Sequence, residues 1–217
     1  MLEIKLEGAS KRYQYEWIFK NLDLQAPAQA KIAITGSNGS GKSTFLKCLA
    51  GIIPLTEGKI QYKLSDKIIP ETDYFKHLTF SAPYMELLEE LTLKELLTFH
   101  FKFKNPIPGL DINKMIQILY LENAKNKQIQ YFSSGMKQRL KLGLCFFSDA
   151  PLVLLDEPTS NLDQKGREWY LELADKYGEN RMVFIGSNDP KEYSFCDQEL
   201  SIEDFKISGQ RTTKRMM

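Results

Sequence analysis

Apolar and polar positions alternate from the first residues. In "MLEIKLEGASKRY" the period of two predicts a strand over residues 2–6, and a second follows at 18–24. "KIAIT", 31–35, is a compact β-rich run that ends at glycine. The pattern then turns helical over 42–50, with Gly51 as the stop, and returns to strand at "GKIQYKL", 58–64. From 85 to 148 the texture is helical. Thr92 and Glu95 form a capping-box pattern ahead of "LKELLTFHF", and Pro106, Pro108 and Gly109 break that helix. Ile112, Met115, Ile116 and Leu119 share one face of a further helix. "PLVLLDEP", 151–158, and "RMVFIGS", 181–187, have the continuous apolar composition of buried parallel strands.

The layout is a single domain over 1–217. A β-rich start and core occupy 1–84 and 149–195, a helical insertion spans about 85–148, and a tail runs over about 196–217. There is no internal repeat and no low-complexity segment. The 217 residues, 42% of them hydrophobic, suit one globular unit. A formal net charge of +1 lacks the strong basic excess of a nucleic-acid binder, so no nucleic-acid partner is expected. No apolar run is long enough to span a bilayer, and the N-terminus lacks a signal-peptide core. Cys48, Cys145 and Cys196 lack metal-ligand spacing and fit reduced thiols. A soluble, intracellular chain is the expectation.

"GSNGSGKST", Gly36 to Thr44, matches G-x-x-x-x-G-K-[ST] between a predicted strand and a predicted helix, the context that motif requires. Gly36, Gly39 and Gly41 let the backbone wrap closely and aim N–H groups at phosphate oxygens. Lys42 brings positive charge to the β- and γ-phosphates, and the Ser43 hydroxyl is a hard oxygen ligand for Mg²⁺. Ser37, Asn38, Ser40 and Thr44 complete this candidate nucleotide-binding loop. The strand at 152–155 runs into Asp156-Glu157. In such a core an Asp there holds the Mg²⁺ shell opposite the loop Ser, and the next Glu can accept a proton from attacking water.

"FSSGMKQRL", 132–140, offers a second anion site. Small residues lead into a predicted helix over 136–147, whose N-terminal end is positive. Ser133 also suits a plain helix N-cap.

Together "GSNGSGKST", "FSSGMKQRL" and "LVLLDEPTSNLD" resemble the ATP-binding cassette of ABC transporters, over residues of about 2 to about 189. The resemblance implies an α/β P-loop NTPase fold of the ABC type: a RecA-like core, an antiparallel β subdomain and an inserted α-helical subdomain. It implies ATP and Mg²⁺ as ligands, with Ser43 and Asp156 at the metal. Glu157, Lys42 and Asn188 take the catalytic positions. Phe132-Ser133-Ser134-Gly135-Met136 falls on the family's signature sequence, Leu-Ser-Gly-Gly-Gln, which binds the γ-phosphate of an ATP held by a second cassette. Ser133 and Gly135 would then act across a head-to-tail dimer, a homodimer by expectation. Tyr13, 23 residues before Gly36, lies where the family stacks an aromatic on adenine, with Trp17 as a nearby competitor. Asn161-Leu162-Asp163 resembles the segment that crosses to the partner, and also reads as a helix N-cap.

Tyr84 stands where the family usually has Gln, and Asn188 where it has the switch His. Met136 and Ser134 replace the signature's Gln and first Gly. A phenol is a poor substitute for an amide carbonyl, and an amide cannot shuttle a proton. These departures bear on turnover and coupling rather than on nucleotide binding, so a slow but working ATPase is expected. The implied partner is an integral membrane permease, gripped by the helical insertion around Tyr84 to Glu95, with this chain peripheral on the cytoplasmic face. The alternatives are a non-transport ABC-type ATPase that regulates a cell-envelope complex, and a cassette with weak hydrolysis. The basic tail "RTTKRMM" reads as a solvated terminus.

Overall fold

The computed structural model describes residues 1–207; the basic tail lies outside them. Two sheets form. Strands β1 (Leu2–Tyr13), β2 (Glu16–Ala26), β4 (Glu57–Leu64) and β5 (Lys67–Ile69) make an antiparallel sheet in the order β2-β1-β4-β5. Strands β3 (Lys31–Thr35), β6 (Leu78–Ser81), β7 (Leu152–Asp156), β8 (Met182–Gly186) and β9 (Gln198–Ser201) make a parallel sheet in the order β6-β7-β8-β3-β9. Among the described residues five α-helices cover them: α1 (Lys42–Leu49), α2 (Leu93–His100), α3 (Ile112–Ile118), α4 (Ser134–Phe147) and α5 (Gln164–Gly178).

The parallel sheet is buried on both faces, and its side chains alternate between two cores. Ile32, Ile34, Leu152, Leu154, Met182 and Phe184 point toward α1 and the antiparallel sheet. Ala33, Val153, Leu155, Val183 and Ile185 point toward the helices α2 to α5. This two-sided burial explains why β7 and β8 are fully buried along their length.

Several elements differ from the sequence reading. The first strand runs to Tyr13 rather than residue 6, because register shifts along β1 let the ladder with β2 continue past Gly8. The strand expected over 151–158 ends at Asp156, where Glu157 takes a positive φ of 44°. Strands β5 and β6 and helix α5 add to the predicted set. Residues 198–201, assigned by sequence to the tail, form β9 and pair with β3 in the register Thr35↔Ser201. The Thr92–Glu95 box forms as expected: Thr92 N donates to Glu95 Oε2 at 2.8 Å and Glu95 N donates to Thr92 Oγ1 at 3.3 Å. The insertion over 85–148 contains α2, α3 and α4, joined in part by short 3-10 turns at Glu122–Ala124 and Ile129–Tyr131.

The register brings three C-terminal strand ends together. Ile34 and Asp156 both pair with Gly186. The loops after β3, β7 and β8 therefore leave from one edge of the sheet, where ligands of open parallel sheets bind.

Candidate functional site

The loop after β3 holds Gly36 at φ 138° and Gly41 at φ 116°. A Cβ on Gly36 would sit 2.7 Å from Ser40 Oγ, and one on Gly41 would sit 2.4 Å from Ile18 Cγ2. Both positions thus need glycine for conformation and for space. Gly41 caps α1, so the first helical N–H groups, from Lys42, Ser43 and Thr44, have no intrahelical acceptor and face the loop. Lys42 is buried, and its Nζ donates to the Gly36 and Ser37 carbonyls at 2.8 and 3.2 Å. Ser40 is buried and its hydroxyl has no hydrogen-bond partner. A concave loop of N–H donors, a cation and an orphaned hydroxyl is a built anion cradle.

Asp156 closes the other side. It is 1% exposed, yet neither carboxylate oxygen has a hydrogen-bond partner. Burial raises its pKa above the usual value, while the nearby Ser43 hydroxyl and the charges of Lys42 and Lys47 pull it down. A buried, unpaired carboxylate beside a serine hydroxyl fits a divalent cation that keeps its other positions for water and phosphate oxygens, as Mg²⁺ does. Among the described residues no three His, Cys, Asp or Glu side chains cluster as an all-protein cage. Tyr84 lies here too. Its phenol is shifted upward by burial and then by the Asp156 charge, and Lys47 Nζ sits 4.0 Å from its ring centre.

Glu157 projects into solvent from its left-handed backbone, fixed by its N–H to the Gly186 carbonyl at 2.9 Å. A non-glycine residue held at positive φ is locally strained, and such strain gathers at functional sites. Asn188 leaves the end of β8 and donates through Nδ2 to Asn38 Oδ1 at 3.0 Å. Tyr13, at the end of β1, is 46% exposed, with Lys11 Nζ 5.0 Å from its ring. Trp17 pairs with Arg12 across the β1–β2 ladder, and the Arg12 guanidinium and Lys20 Nζ lie 5.1 and 4.6 Å from its ring, whereas Tyr13 pairs with Glu16.

The second candidate anion site is separate. Ser133 caps α4 and accepts from Met136 N at 3.2 Å. A cleft of about 490 Å³ runs between this end of α4 and the segment ahead of α5. Ser133, Ser134, Gly135 and Met136 line one wall and Asn161, Leu162 and Asp163 another. Asp163 is held by the Gly166 N–H at 2.8 Å as the cap of α5, while Asn161 sits at φ 66°. No residue of the 36–44 loop lines this cleft. The sequence reading missed Arg139 and Tyr120, which also line it. The Arg139 guanidinium lies 5.7 Å from the Tyr120 ring and 5.5 Å from that of Trp169. Only the three-dimensional fold brings those two rings together, although Arg139 falls within the quoted motif.

The family description "ABC transporter" matches residues 19–160. The chain belongs to the ABC transporter family. Among its relatives, the cytochrome c biogenesis ATP-binding export protein CcmA of Brucella abortus is 30% identical over 193 residues, covering 87% of this chain and 86% of CcmA. ATP-binding cassette sub-family A member 2 of Rattus norvegicus is 27% identical over 174 residues, which cover 79% of this chain; the match spans only 7% of that protein. The solved dimeric, post-hydrolysis cassette MJ0796, bound to ADP and Pi, superposes with a TM-score of 0.78 at 24% identity, over 94% of this chain and 96% of that one. Its likeness establishes the fold: a P-loop cassette with a parallel core and an antiparallel β subdomain.

In this ABC cassette the 36–44 loop, Asp156, Glu157 and Asn188 meet at one edge of the parallel sheet. The 133–136 segment instead faces its own cleft. Among the described residues no helix is long and apolar enough to cross a membrane.

Proposed function

We propose that this chain is an ATP-hydrolysing subunit that pairs head to tail with a second copy around two ATP molecules and drives a separate membrane permease. One observation carries the reading. The N-terminus of α4 opens into the Ser133–Met136 cleft, with Asn161 to Asp163 beside it, and no residue of the 36–44 loop lines that cleft. A second subunit supplies what is missing, and head-to-tail pairing makes two equivalent composite sites.

The chain's own residues then divide the work. The N–H groups of residues 38, 39 and 41–44 cradle the phosphates, while the Ser40 N–H closes the loop on the Ser37 carbonyl at 3.0 Å, and Lys42 balances the phosphate charge. Ser43 and Asp156 would hold Mg²⁺, which neutralises charge that develops on the phosphate oxygens. Tyr13, exposed at the end of β1, offers an aromatic face to the base. Glu157, exposed and held at fixed backbone geometry, orients a water and takes its proton as the water oxygen bonds the γ-phosphorus. The bond from that phosphorus to the bridging oxygen breaks, leaving ADP and phosphate. Ser133 and Gly135 of the opposite copy close on the γ-phosphate, with the end of α4 adding its positive pole. Asp163 fixes the start of α5 and so the wall that meets the partner.

The permease surface is the groove of about 500 Å³ between β6, α2 and α4, with Phe75, Met85, Leu88, Phe99 and Phe103 along it. These side chains are exposed, Phe103 to 74%, as expected of a surface covered in an assembly. In this reading the chain sits at the cytoplasmic face of a membrane.

Complementation tests the composite sites. Lys42→Ala and Gly135→Asp should each be inactive. A one-to-one mixture should recover about a quarter of wild-type ATPase, because mixed pairs retain one intact site. A mixture as inactive as its parts contradicts the reading.

A further inference from the structure

The segment that follows β9 reaches the phosphate loop. Because Thr35 pairs with Ser201, the chains leaving β3 and β9 continue side by side: Gly36 beside Ile202, and Ser37 beside Glu203. Ile202 is fully buried, and its Cγ2 would lie 3.1 Å from a Cβ on Gly36. Glu203, on the 3-10 turn Ile202–Phe205, accepts two hydrogen bonds from one loop residue through Oε1. Ser37 N donates at 3.0 Å and Ser37 Oγ at 2.5 Å, across 166 residues of sequence.

A carboxylate beside a phosphate cradle opposes the anion by charge, so its value there is geometric. The two donors hold the Glu203 pKa below its usual value, with Lys206 and Lys42 adding smaller effects, and the group stays ionised at neutral pH. Hydrogen bonds to an ionised acceptor are the stronger kind. Ser37 stands at the entrance of the loop, next to the Gly36 and Ser37 carbonyls that hold Lys42 Nζ.

We infer that Glu203 is a positioning residue for the phosphate loop. It pins the Ser37 peptide, sets the direction in which residues 38–41 turn, and keeps the carbonyls that orient Lys42 in place. It touches no reacting atom. The inference rests on the ATP-binding reading above for its effect on affinity, but its hold on the loop is independent of any nucleotide.

Two measurements on the full chain test it. The first is amide hydrogen exchange at residues 37–39 in nucleotide-free protein. The second is titration with Mg²⁺ and a fluorescent ATP analogue, alongside steady-state ATPase. Glu203→Ala should speed exchange at Ser37 and weaken nucleotide binding about tenfold, with KM changed more than kcat. Glu203→Gln keeps an oxygen acceptor and should stay within about threefold of wild type. Ser37→Ala combined with Glu203→Ala should be non-additive, since both remove the Ser37 hydroxyl–Glu203 bond. Wild-type exchange and affinity in Glu203→Ala overturn the inference, as does a Gln variant as impaired as Ala. If the wild type binds no ATP analogue, the ATPase reading fails, and exchange alone still decides whether Glu203 holds the loop.

Discussion

Asn188 Nδ2 donates to Asn38 Oδ1 at 3.0 Å, joining the loop after β8 to the loop after β3. The contact gives this position a structural partner inside the phosphate loop. An amide has no titration in the neutral range, whereas an unperturbed imidazole changes charge near pH 6.5. The wild-type kcat should therefore be flat between about pH 6 and 8. Asn188→His should add an acidic limb near pH 6.5. Steady-state rates across that range read this directly, and an acidic limb in the wild type would assign the titration to another group.

Asp156 is a buried carboxylate with two unpartnered oxygens. Its pKa in the fold is raised above 3.8, chiefly by burial. The folded state therefore binds a proton more readily than the unfolded chain, and stability is lost as pH rises from 3.8 through the raised value. At neutral pH Asp156→Asn should stabilise the nucleotide-free chain by roughly 1–3 kcal/mol, or about 2–12 °C in melting temperature. The same variant should lose the Mg²⁺-dependent gain in ATP affinity. Thermal melts with and without Mg·ATP give both readings; an unstable Asn variant would mean the carboxylate is satisfied in solution.

His100 lines the groove between α2 and α4, and its Nε2 lies 3.0 Å from Ser148 Oγ. The Ser148 proton goes to the Leu144 carbonyl at 2.6 Å, so Nε2 carries the hydrogen in this pair. Burial, helped by the Lys104 charge, lowers the His100 pKa to about 4. Its unfolded value is near 6.5, so below it the unfolded chain takes up a proton that the folded chain refuses. Stability should fall as pH drops from 6.5 toward about 4, by roughly 1–3 kcal/mol from this group. His100→Gln should flatten that slope in denaturant titrations at pH 7 and pH 5. An unchanged slope would show that His100 is hydrated.

Local signals made much of this molecule legible. The glycines and Lys42 of the first loop, the Thr92–Glu95 box and the apolar runs of β7 and β8 all state their conformation in neighbouring residues. Other elements depend on distant partners. β9, "QELS", has one apolar residue, and only its ladder with β3 makes it a strand. β6, "LTFS", is four residues long, too short for periodicity to declare itself. Helix α5 buries Trp169, Tyr170, Leu173 and Ala174 on one face, a helical spacing that was readable behind its Asp163 cap. Glu203 carries no motif at all. Its contact with Ser37 follows from the β3–β9 register, which no stretch of sequence encodes by itself.

If two copies close around ATP, a variant that binds ATP without hydrolysing it should hold them together. Glu157→Gln removes the proton acceptor and should lower kcat by about 10²- to 10³-fold. Its mass by light scattering, with and without Mg·ATP, is the decisive measurement. The variant should be a monomer without nucleotide and a dimer with it, and the dimer should be lost again in Glu157→Gln/Gly135→Asp. A chain that stays monomeric at saturating ATP, with ATP bound, would contradict closure of two copies around ATP.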